Sequence, residues 1–508
     1  MLTITFIRKN KRALIMALLI TFTVLGYNVM RGMKKAVILT LPSAGAAYIP
    51  FVKTMLVMPM SILIGAFYLY IRHKRGIIHA YYTVTLSFLV YFILFTFTLL
   101  PNLTMITPNS EWIAAQQLAY PHFKFFIGLL SIWPIAFYYV AAELWGTYSL
   151  VVLFWQVANE LFTPSEATET YPIFIFVSSF SVILASFVLQ LLSMAGDPLT
   201  ACTICISSIG VCMMLLVFYL NTQYSFENNI NHAPTSTSSS EGAEKKKPSL
   251  LESFQLTLQS PHVFYIGVCV FSFGMLVNFF ELSLDHKVAV YYSSPKLLLE
   301  FQSWFTRTKG ILFIIANLVN AILLRRIGWF GVALITPGIC ILSANLFLFS
   351  CYHIDFINLM LKTSSSEELV MWAGCVLLVI TYACKYSFFD TTKELAFTPL
   401  PNSIKASAKA VADGICGRAG KSGSSFVQAS LMSITAAQTV PDIIPYLMYL
   451  GATLSIFWIW SMLKLNKSYQ EKMRAFASEN SNQDNAATTD EKKPQQQNHL
   501  EPSTITLN

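Results

Sequence analysis

Long apolar stretches separated by short charged segments dominate the hydrophobic pattern of this 508-residue chain. Most stretches are about 20 residues long, the length that an α-helix needs to cross roughly 30 Å of hydrocarbon. Six lie in each half of the chain, at 13–33, 50–71, 79–100, 124–163, 171–193 and 199–221, and then at 263–286, 304–324, 328–350, 369–398, 424–439 and 443–463. The pattern predicts an all-α polytopic membrane protein with about twelve transmembrane helices, called spans one to twelve below.

Two of these stretches are open to more than one interpretation. The stretch 124–163 is too long for one straight crossing, so it contains an amphipathic lead-in, a kink at Pro134, or two spans. The first stretch resembles a signal peptide, because basic residues precede it and Ala44, Gly45 and Ala46 follow it. It is longer than the usual h-region of about 7–15 residues, so an uncleaved first helix is favoured.

Polar segments divide the chain into two halves. We expect an N-terminal six-helix half at 1–221, a flexible cytoplasmic linker at 222–260, a C-terminal half at 261–465, and a disordered cytoplasmic tail at 466–508. The halves echo each other, since a short basic loop ending in Gly76 follows span two and another ending in Gly328 follows span eight. By fold-level analogy, this is the plan of major-facilitator-type transporters.

The charges indicate how the helices cross the membrane. Only 12% of residues are charged, mean hydropathy is +0.56, and the net charge is +8; soluble domains carry about 25% charged residues. With the N-terminus in the cytoplasm, 22 of the 34 Lys and Arg residues fall in inward segments and seven in outward loops. This bias predicts cytoplasmic termini at both ends.

Common catalytic motifs are absent from the sequence. Gly420, Lys421 and Ser422 resemble the end of a phosphate-binding loop, but Ile415 stands where the first glycine belongs. Cys202 and Cys205 lie in an apolar run and are interpreted as packing residues. We therefore expect no enzymatic activity, no cofactor or metal, and no nucleic-acid partner.

Several charges lie at membrane depth, where each costs about 2.5–3.5 kcal/mol, so they are usually functional. They concentrate in spans one, four, seven and ten, which are equivalent positions in a repeat of three helices. The principal ones are Arg31, Lys34, Lys35, Glu143, Glu281, Asp285, Lys385, Asp390, Lys393 and Glu394. The pattern favours a central cavity whose bases hold phosphate oxygens and whose acids pair with those bases when it is empty.

Other interpretations of these charges stay open. They pair only with one another, or they extend to the interface by snorkelling. Arg307 and Lys309 on span eight are further candidates, either for the cavity or for the outer interface.

Two motifs resemble the nucleotide transporter family of plastids and of intracellular bacteria such as chlamydiae and rickettsiae, the ATP/ADP translocase type. Span four reads AAELWGTYSLVVLFWQVANELF, similar to the family's Ala-Glu-Leu-Trp-Gly, Phe-Trp and Ala-Asn. Span ten reads FFDTTKELAFTPL, similar to its Phe-Asp-x-Thr-Lys-Glu and Pro-Leu pattern. Span one departs, since the family has Arg-Asp-x-Lys-Asp where this chain has Arg31, Gly32, Met33, Lys34 and Lys35.

The resemblance implies site residues. The family's four charged positions correspond to Lys34, Glu143, Glu281 and Lys393. We add Arg31 and Asp390 as substrate-binding candidates, and Trp145 and Asn159 as candidates for placing the nucleoside. The candidates for a cytoplasmic gate are Glu394, Lys409, Asp413, Arg418 and Lys421.

The resemblance also implies a function and a location. The expected function is exchange of host ATP, or a related nucleotide, for ADP or another bacterial nucleotide by alternating access. Proton-coupled nucleotide symport, NAD/ADP exchange, and a non-transporting receptor or scaffold are the alternatives. The expected location is the inner membrane of an obligate intracellular bacterium, with the protein a monomer in the lipid bilayer.

Overall fold

The computed structural model describes residues 11–224, 260–361 and 366–490, and no strand occurs among them. Nine helical segments of this described part are long and apolar enough to cross a membrane. They are Lys11–Thr40, Ala46–Leu99, Trp133–Leu161, Glu169–Met194, Pro198–Tyr224, Pro261–Tyr291, Pro295–Tyr352, Ser366–Ala396 and Pro441–Arg474. The predicted all-α polytopic membrane architecture is confirmed.

Two of the nine segments each contain two helices. The backbone leaves the helical conformation at Gly76 (φ 83°, ψ 174°) and at Gly328 (φ 70°, ψ 179°). Glycine adopts these positive φ values without the clash that a Cβ atom brings. These are the glycines that end the two basic loops predicted from the sequence, so they separate span two from span three and span eight from span nine.

With these divisions, and with the more polar helix Gly417–Ile434, the described residues contain twelve long helices that match the twelve predicted spans, besides several shorter ones. We number them α1 to α12. Helices α2 and α3 share Ala46–Leu99, α8 and α9 share Pro295–Tyr352, and the others are α1 (Lys11–Thr40), α4 (Trp133–Leu161), α5 (Pro164–Met194), α6 (Pro198–Tyr224), α7 (Pro261–Tyr291), α10 (Ser366–Ala396), α11 (Gly417–Ile434) and α12 (Ile444–Asp490).

The long stretch 124–163 contains a single crossing. A short helix, Lys124–Ser131, ends where Ile132 leaves the helical conformation (φ −114°, ψ 16°). Helix α4 then begins at Trp133 with Pro134 in its first turn, where proline needs no hydrogen-bond partner for its nitrogen. Of the interpretations left open by the sequence, a lead-in helix followed by one span is the one observed.

Wide π-helical turns interrupt several helices next to charged residues. One occupies Thr147–Phe154 in α4, and another occupies Lys385–Phe389 in α10. Others begin at Lys53 in α2 and cover Ala410–Cys416 before α11. Such bulges redirect side chains and occur often at functional sites.

Helices α1 and α7 lie at the centre of the bundle. Of the most apolar part of each, 67% is buried by protein, against 11% for Ala46–Leu99. Between the halves, α5 packs on α8, where the Ser303 hydroxyl donates to the Ser186 carbonyl oxygen (2.8 Å), and the first part of α2 packs on α11. The first helix of each half is therefore placed where a central site would lie.

The ends of the described ranges bear on two predicted segments. Residues 225–259, most of the predicted linker, lie outside the described residues, as do 1–10 and 491–508. Helix α12 extends to Asp490, past residue 466, where the predicted tail begins. The disorder of that tail stays a prediction.

Candidate functional site

Two basic residues of α1 face two acidic residues of α7. Arg31 Nη2 lies 3.2 Å from Glu281 Oε1, and Lys35 Nζ lies 3.0 Å from the same oxygen. Lys35 Nζ is also 2.7 Å from Asp285 Oδ1. Residues four apart lie on one face of a helix, so Arg31 and Lys35 present a basic face to the acidic face of Glu281 and Asp285. These four residues are called the α1–α7 network below.

Lys35 is the base that span one gains relative to the family pattern described above. Asp285 holds this extra base, and the four side chains of the network are largely enclosed by protein. A buried ion loses the free energy of its hydration, and an ion pair with a partner compensates part of that loss. Pairing therefore allows these enclosed charges to stay in the protein. The extra base in span one, Lys35, is thus paired with a carboxylate in span seven, Asp285.

A third helix reaches the network through Arg31. Its guanidinium donates to the hydroxyl of Tyr382 in α10 at 3.1 Å and lies over that ring, 5.3 Å from the centroid. A cation over an aromatic face is attracted by the ring quadrupole. Helices α1, α7 and α10 therefore meet at one guanidinium.

Lys34 points to the other side of α1 and pairs with Glu143 of α4. Its ammonium also lies 4.9 Å from the ring centroid of Tyr139, one helical turn before Glu143. The Lys34 side chain is 9% exposed, whereas Glu143 keeps 35% of its side-chain surface accessible. This pair joins helices of the N-terminal half, with the carboxylate on its accessible side.

A second charged group lies further along α10. Lys385 pairs with Asp390 at 2.9 Å, and Lys393 lies 2.6 Å from Asp413 and 3.6 Å from Asp390. Lys409 pairs with Glu394 beside it. These contacts all lie within the C-terminal half, and they tie the end of α10 to the segment that leads into α11.

Most of the predicted site residues fall into two groups, one around α1 and one at the end of α10. Arg31, Lys34, Glu143 and Glu281 surround α1, and Asp390, Lys393, Glu394, Lys409 and Asp413 form the α10 group. Lys393 follows Tyr382 by eleven residues, roughly 16 Å along a helix at 1.5 Å per residue. The four positions implied by the resemblance therefore do not converge on one point.

Two predicted residues lie outside both groups. Trp145 is buried against Phe88 and Phe92, with ring centroids 5.9 and 6.2 Å away. Asn159 accepts a hydrogen bond from Tyr171 of α5 at 2.7 Å, near the end of α4. Arg418 and Lys421 on α11 are exposed, and neither forms an ion pair within the described part of the chain.

Three contributors were not selected from the sequence. Tyr382 and Tyr139 contact the bases of α1 through their rings, and Lys53 of α2 donates to the Asn278 side chain of α7 at 3.2 Å. Lys53 could have been selected from the sequence, because it is a single lysine in the apolar stretch 50–71. Tyrosines are too common in this chain for their type alone to single out two of them.

Hydrogen bonds between the halves concentrate towards one end of the bundle. Besides the α1–α7 network, His122 contacts the carbonyl oxygen of Ser433, and Lys124 contacts Gln438. At the opposite end, where α4 and α10 finish, the ion pairs of the described residues each lie within one half, as between Arg12 and Glu166 or between Lys393 and Asp413. We call the end near Thr40 and Tyr291 the bonded end.

Solved structures share this arrangement of helices. One is a bacterial homologue of the iron transporter ferroportin in an outward-facing state with soaked iron, with a TM-score of 0.52, 12% identity, and coverage of 90% of this chain and 99% of that one. Another is a mutant of the nucleoside transporter NupG, with a TM-score of 0.50, 14% identity, and coverage of 88% and 99%. The fold is that of polytopic membrane transporters.

Sequence comparison gives the family. The model of the TLC ATP/ADP transporter family matches residues 6–469. ADP,ATP carrier protein 3 of Rickettsia bellii (strain RML369-C) is 29% identical over 478 residues, covering 90% of this chain and 94% of the relative. ADP,ATP carrier protein 1 of Rickettsia typhi (strain ATCC VR-144 / Wilmington) is 29% identical over 470 residues, covering 91% and 94%. The chain belongs to the TLC ATP/ADP transporter family, as the two sequence motifs predicted.

Proposed function

We propose that this protein exchanges an external nucleotide, ATP or a related one, for internal ADP or another nucleotide across a bacterial inner membrane by alternating access. It carries the nucleotide without converting it chemically. Family membership over nearly the whole chain supports the nucleotide as substrate. The structural observation that carries the proposal is the α1–α7 network, an enclosed cluster of charges shared by both halves.

The two lysines that we propose as phosphate ligands, Lys34 and Lys393, each form an ion pair with a carboxylate. Glu143 holds Lys34, and Asp413 holds Lys393. A phosphate oxygen makes the same kind of charge-assisted hydrogen bond as a carboxylate oxygen, so it can replace one on the ammonium. The accessible side chain of Glu143 makes Lys34 the base at which this replacement begins.

The bonded end explains why transport takes the form of exchange. Opening this end separates Arg31 and Lys35 from Glu281 and Asp285, which exposes four charges whose partners are each other. Leaving such charges uncompensated in an enclosed site is costly. An anionic nucleotide bound beside Arg31 and Lys35 compensates the bases, so the loaded protein reorients more readily than the empty one.

The membrane orientation follows from the basic loops. Arg72 and Arg75 lie just before Gly76, and Arg325 and Arg326 lie just before Gly328, at the ends of α2 and α8 opposite the bonded end. The excess of bases expected on cytoplasmic loops supports our proposal that both termini lie in the cytoplasm. In this orientation the bonded end faces outward. We propose that the protein works as a monomer in the membrane of an intracellular bacterium.

Uptake into intact bacteria that express the protein tests the proposal. Labelled ATP, GTP, CTP, UTP, ADP and NAD are each supplied with and without a preloaded counter-nucleotide, and with and without a protonophore. Uptake that depends on internal nucleotide supports exchange. Uptake abolished by the protonophore, or absence of uptake with the protein in the membrane, contradicts it in favour of proton symport or of a receptor.

A further inference from the structure

Three lysines around the α1–α7 network have no carboxylate partner. They come from three helices: Lys53 from α2, Lys309 from α8 and Lys421 from α11. Every other base of the central group is paired, since Arg31, Lys34, Lys35 and Lys385 each contact a glutamate or an aspartate. In the described part of the chain, no ion pair involves any of the three.

The three lysines converge on one region. Lys53 donates to Asn278 of α7, one turn before Glu281, and the backbone of α11 at Gly420 and Lys421 packs against Gly274 of α7. Lys309 is buried on α8, and its electrostatic neighbours include Arg31 and Glu281. They therefore surround the contact between α1 and α7, with Lys53 approaching from the N-terminal half and the other two from the C-terminal half. Spans two, eight and eleven are the second helices of their three-helix units, whereas the paired charges lie on the first helices.

Lys309 is the most informative of the three. It is 8% exposed, and its electrostatic neighbours include the bases Arg31 and Lys35. An ammonium on a largely enclosed side chain that forms no ion pair loses part of its hydration without compensation. Such a group is retained where a ligand supplies the missing negative charge.

The other two lysines are also available to a ligand. The described contact of Lys53 is a single hydrogen bond to the neutral Asn278 side chain, at 3.2 Å. Lys421 is exposed, although Lys385 and Tyr386 of α10 are among its electrostatic neighbours. Its ammonium forms no ion pair in the described part of the chain, so it is open to a ligand.

We propose that Lys53, Lys309 and Lys421 form the first binding site for the phosphate chain of the transported nucleotide. This inference rests on the proposed function and assigns the substrate charge to bases that no protein carboxylate occupies. A nucleoside di- or triphosphate carries about three to four negative charges at neutral pH. Three compact ammonium groups match that charge without displacing a carboxylate, and Lys34 and Lys393 then take phosphate oxygens by exchange with Glu143 and Asp413.

Binding of nucleotides of graded charge to the purified full-length protein in detergent tests this site. The variants Lys53→Gln, Lys309→Gln and Lys421→Gln remove one positive charge each. Lys296→Gln removes an exposed lysine near the start of α8 and is the matched control. Dissociation constants for ATP, ADP, AMP and adenosine are measured by titration calorimetry for each variant.

We expect each of the three variants to bind ATP at least tenfold more weakly, because each loses a charge-assisted hydrogen bond to a phosphate oxygen. The loss decreases from ATP to AMP and is absent for adenosine, a gradation that general misfolding would not produce. Lys309→Arg keeps the charge and retains more affinity than Lys309→Gln. The control binds as the unaltered protein does.

The outcomes separate this inference from the proposed function. If the unaltered protein binds nucleotides and all three variants bind ATP equally well, the lysine site is overturned while nucleotide transport stands. If the unaltered protein binds none of the nucleotides, the proposed function itself fails. If Lys309→Gln does not fold, Lys421→Gln decides, because its exposed side chain is not needed for packing.

Discussion

Lys35 Nζ lies 2.7 Å from Asp285 Oδ1, which joins the first helix of one half to the first helix of the other. One turn before Asp285 on α7, a single oxygen of Glu281 accepts from both Arg31 and Lys35. The interface is held by two acids and two bases at matched spacing, and opening the bonded end has to separate all of them.

Glu281 and Asp285 contribute unequally to this interface, because Glu281 accepts from two bases and Asp285 from one. We expect Glu281→Gln to destabilise the protein by about 3 kcal/mol, the scale for removing one partner of an enclosed ion pair. Asp285→Asn is the matched variant with the smaller loss. Thermal unfolding of the purified proteins measures both, and equal losses would contradict the shared-acceptor arrangement.

The two loop glycines give a prediction about backbone strain. Alanine at Gly76 or Gly328 would be held at φ of 83° or 70° with ψ near 180°, a backbone region essentially restricted to glycine, which costs about 1–3 kcal/mol. No neighbouring atom lies within 4 Å of a Cβ added at either position, so the loss comes from the backbone alone.

Gly338 is the control for this strain, because it is helical and equally open to a Cβ. Gly338→Ala is expected to stabilise the protein by up to about 1 kcal/mol through helix propensity. Chemical unfolding compares the three variants. If Gly328→Ala is as stable as Gly338→Ala, the non-helical conformation at Gly328 is not present in solution.

Removing the charge of Lys309 should stabilise the ligand-free protein and weaken nucleotide binding. Lys309→Met keeps a long unbranched side chain and removes the enclosed charge, so the ligand-free protein is expected to melt at a higher temperature. The same variant loses most of the melting-temperature rise that saturating ATP gives the unaltered protein, because binding energy adds to stability. A ligand-free variant with a lower melting temperature, and an undiminished rise with ATP, would show that Lys309 is structural.

Glu166 gives a prediction about pH outside the membrane. Its carboxylate accepts from the Thr163 backbone N–H at 3.0 Å, in a capping box at the start of α5, and pairs with Arg12 at 2.6 Å. The hydrogen bond from Thr163, followed by the charge of Arg12, lowers the pKa of Glu166 below its usual value. A lowered pKa stabilises the fold above the pKa of the unfolded chain, and this contribution is lost as pH falls through the folded value.

Glu166→Gln should therefore lower the melting temperature at neutral pH, with a free-energy loss below about 1 kcal/mol because the site is partly exposed. The difference between the two proteins shrinks as the pH falls below about 4, since the unaltered carboxylate then becomes neutral. Melting curves across this pH range provide the check. A difference that stays constant with pH would show that charge at Glu166 does not contribute.

The sequence predicts the helices better than it predicts the site. Hydrophobic run length defines twelve spans, since the hydrocarbon thickness sets that length directly. Charge in an apolar run also identifies Arg31, Lys34, Glu143 and Glu281, because membranes make such charges costly. Which base meets which acid depends on helix rotation and on turns such as the π-helical turn at Lys385, and periodicity does not reveal those.

The role of aromatic residues is the part that sequence reasoning could not assign. Trp145, the predicted candidate for nucleoside contact, lies against Phe88, while Tyr139 and Tyr382 contact the bases of α1. All three lie in apolar helices, so their type and position carry the same signal. Only the packing of α1 against α4, and the contact of Arg31 with Tyr382 of α10, distinguish them.

Counter-exchange in proteoliposomes tests the central claim most directly. Purified protein is reconstituted into vesicles loaded with ADP, with AMP, or with buffer alone, and uptake of labelled ATP is followed without an ion gradient. We predict rapid uptake into ADP-loaded vesicles, little uptake into vesicles with buffer alone, and efflux of ADP equal in amount to the ATP taken up. Uptake at the same rate whatever the vesicles contain would contradict exchange, and with it the explanation given for the α1–α7 network.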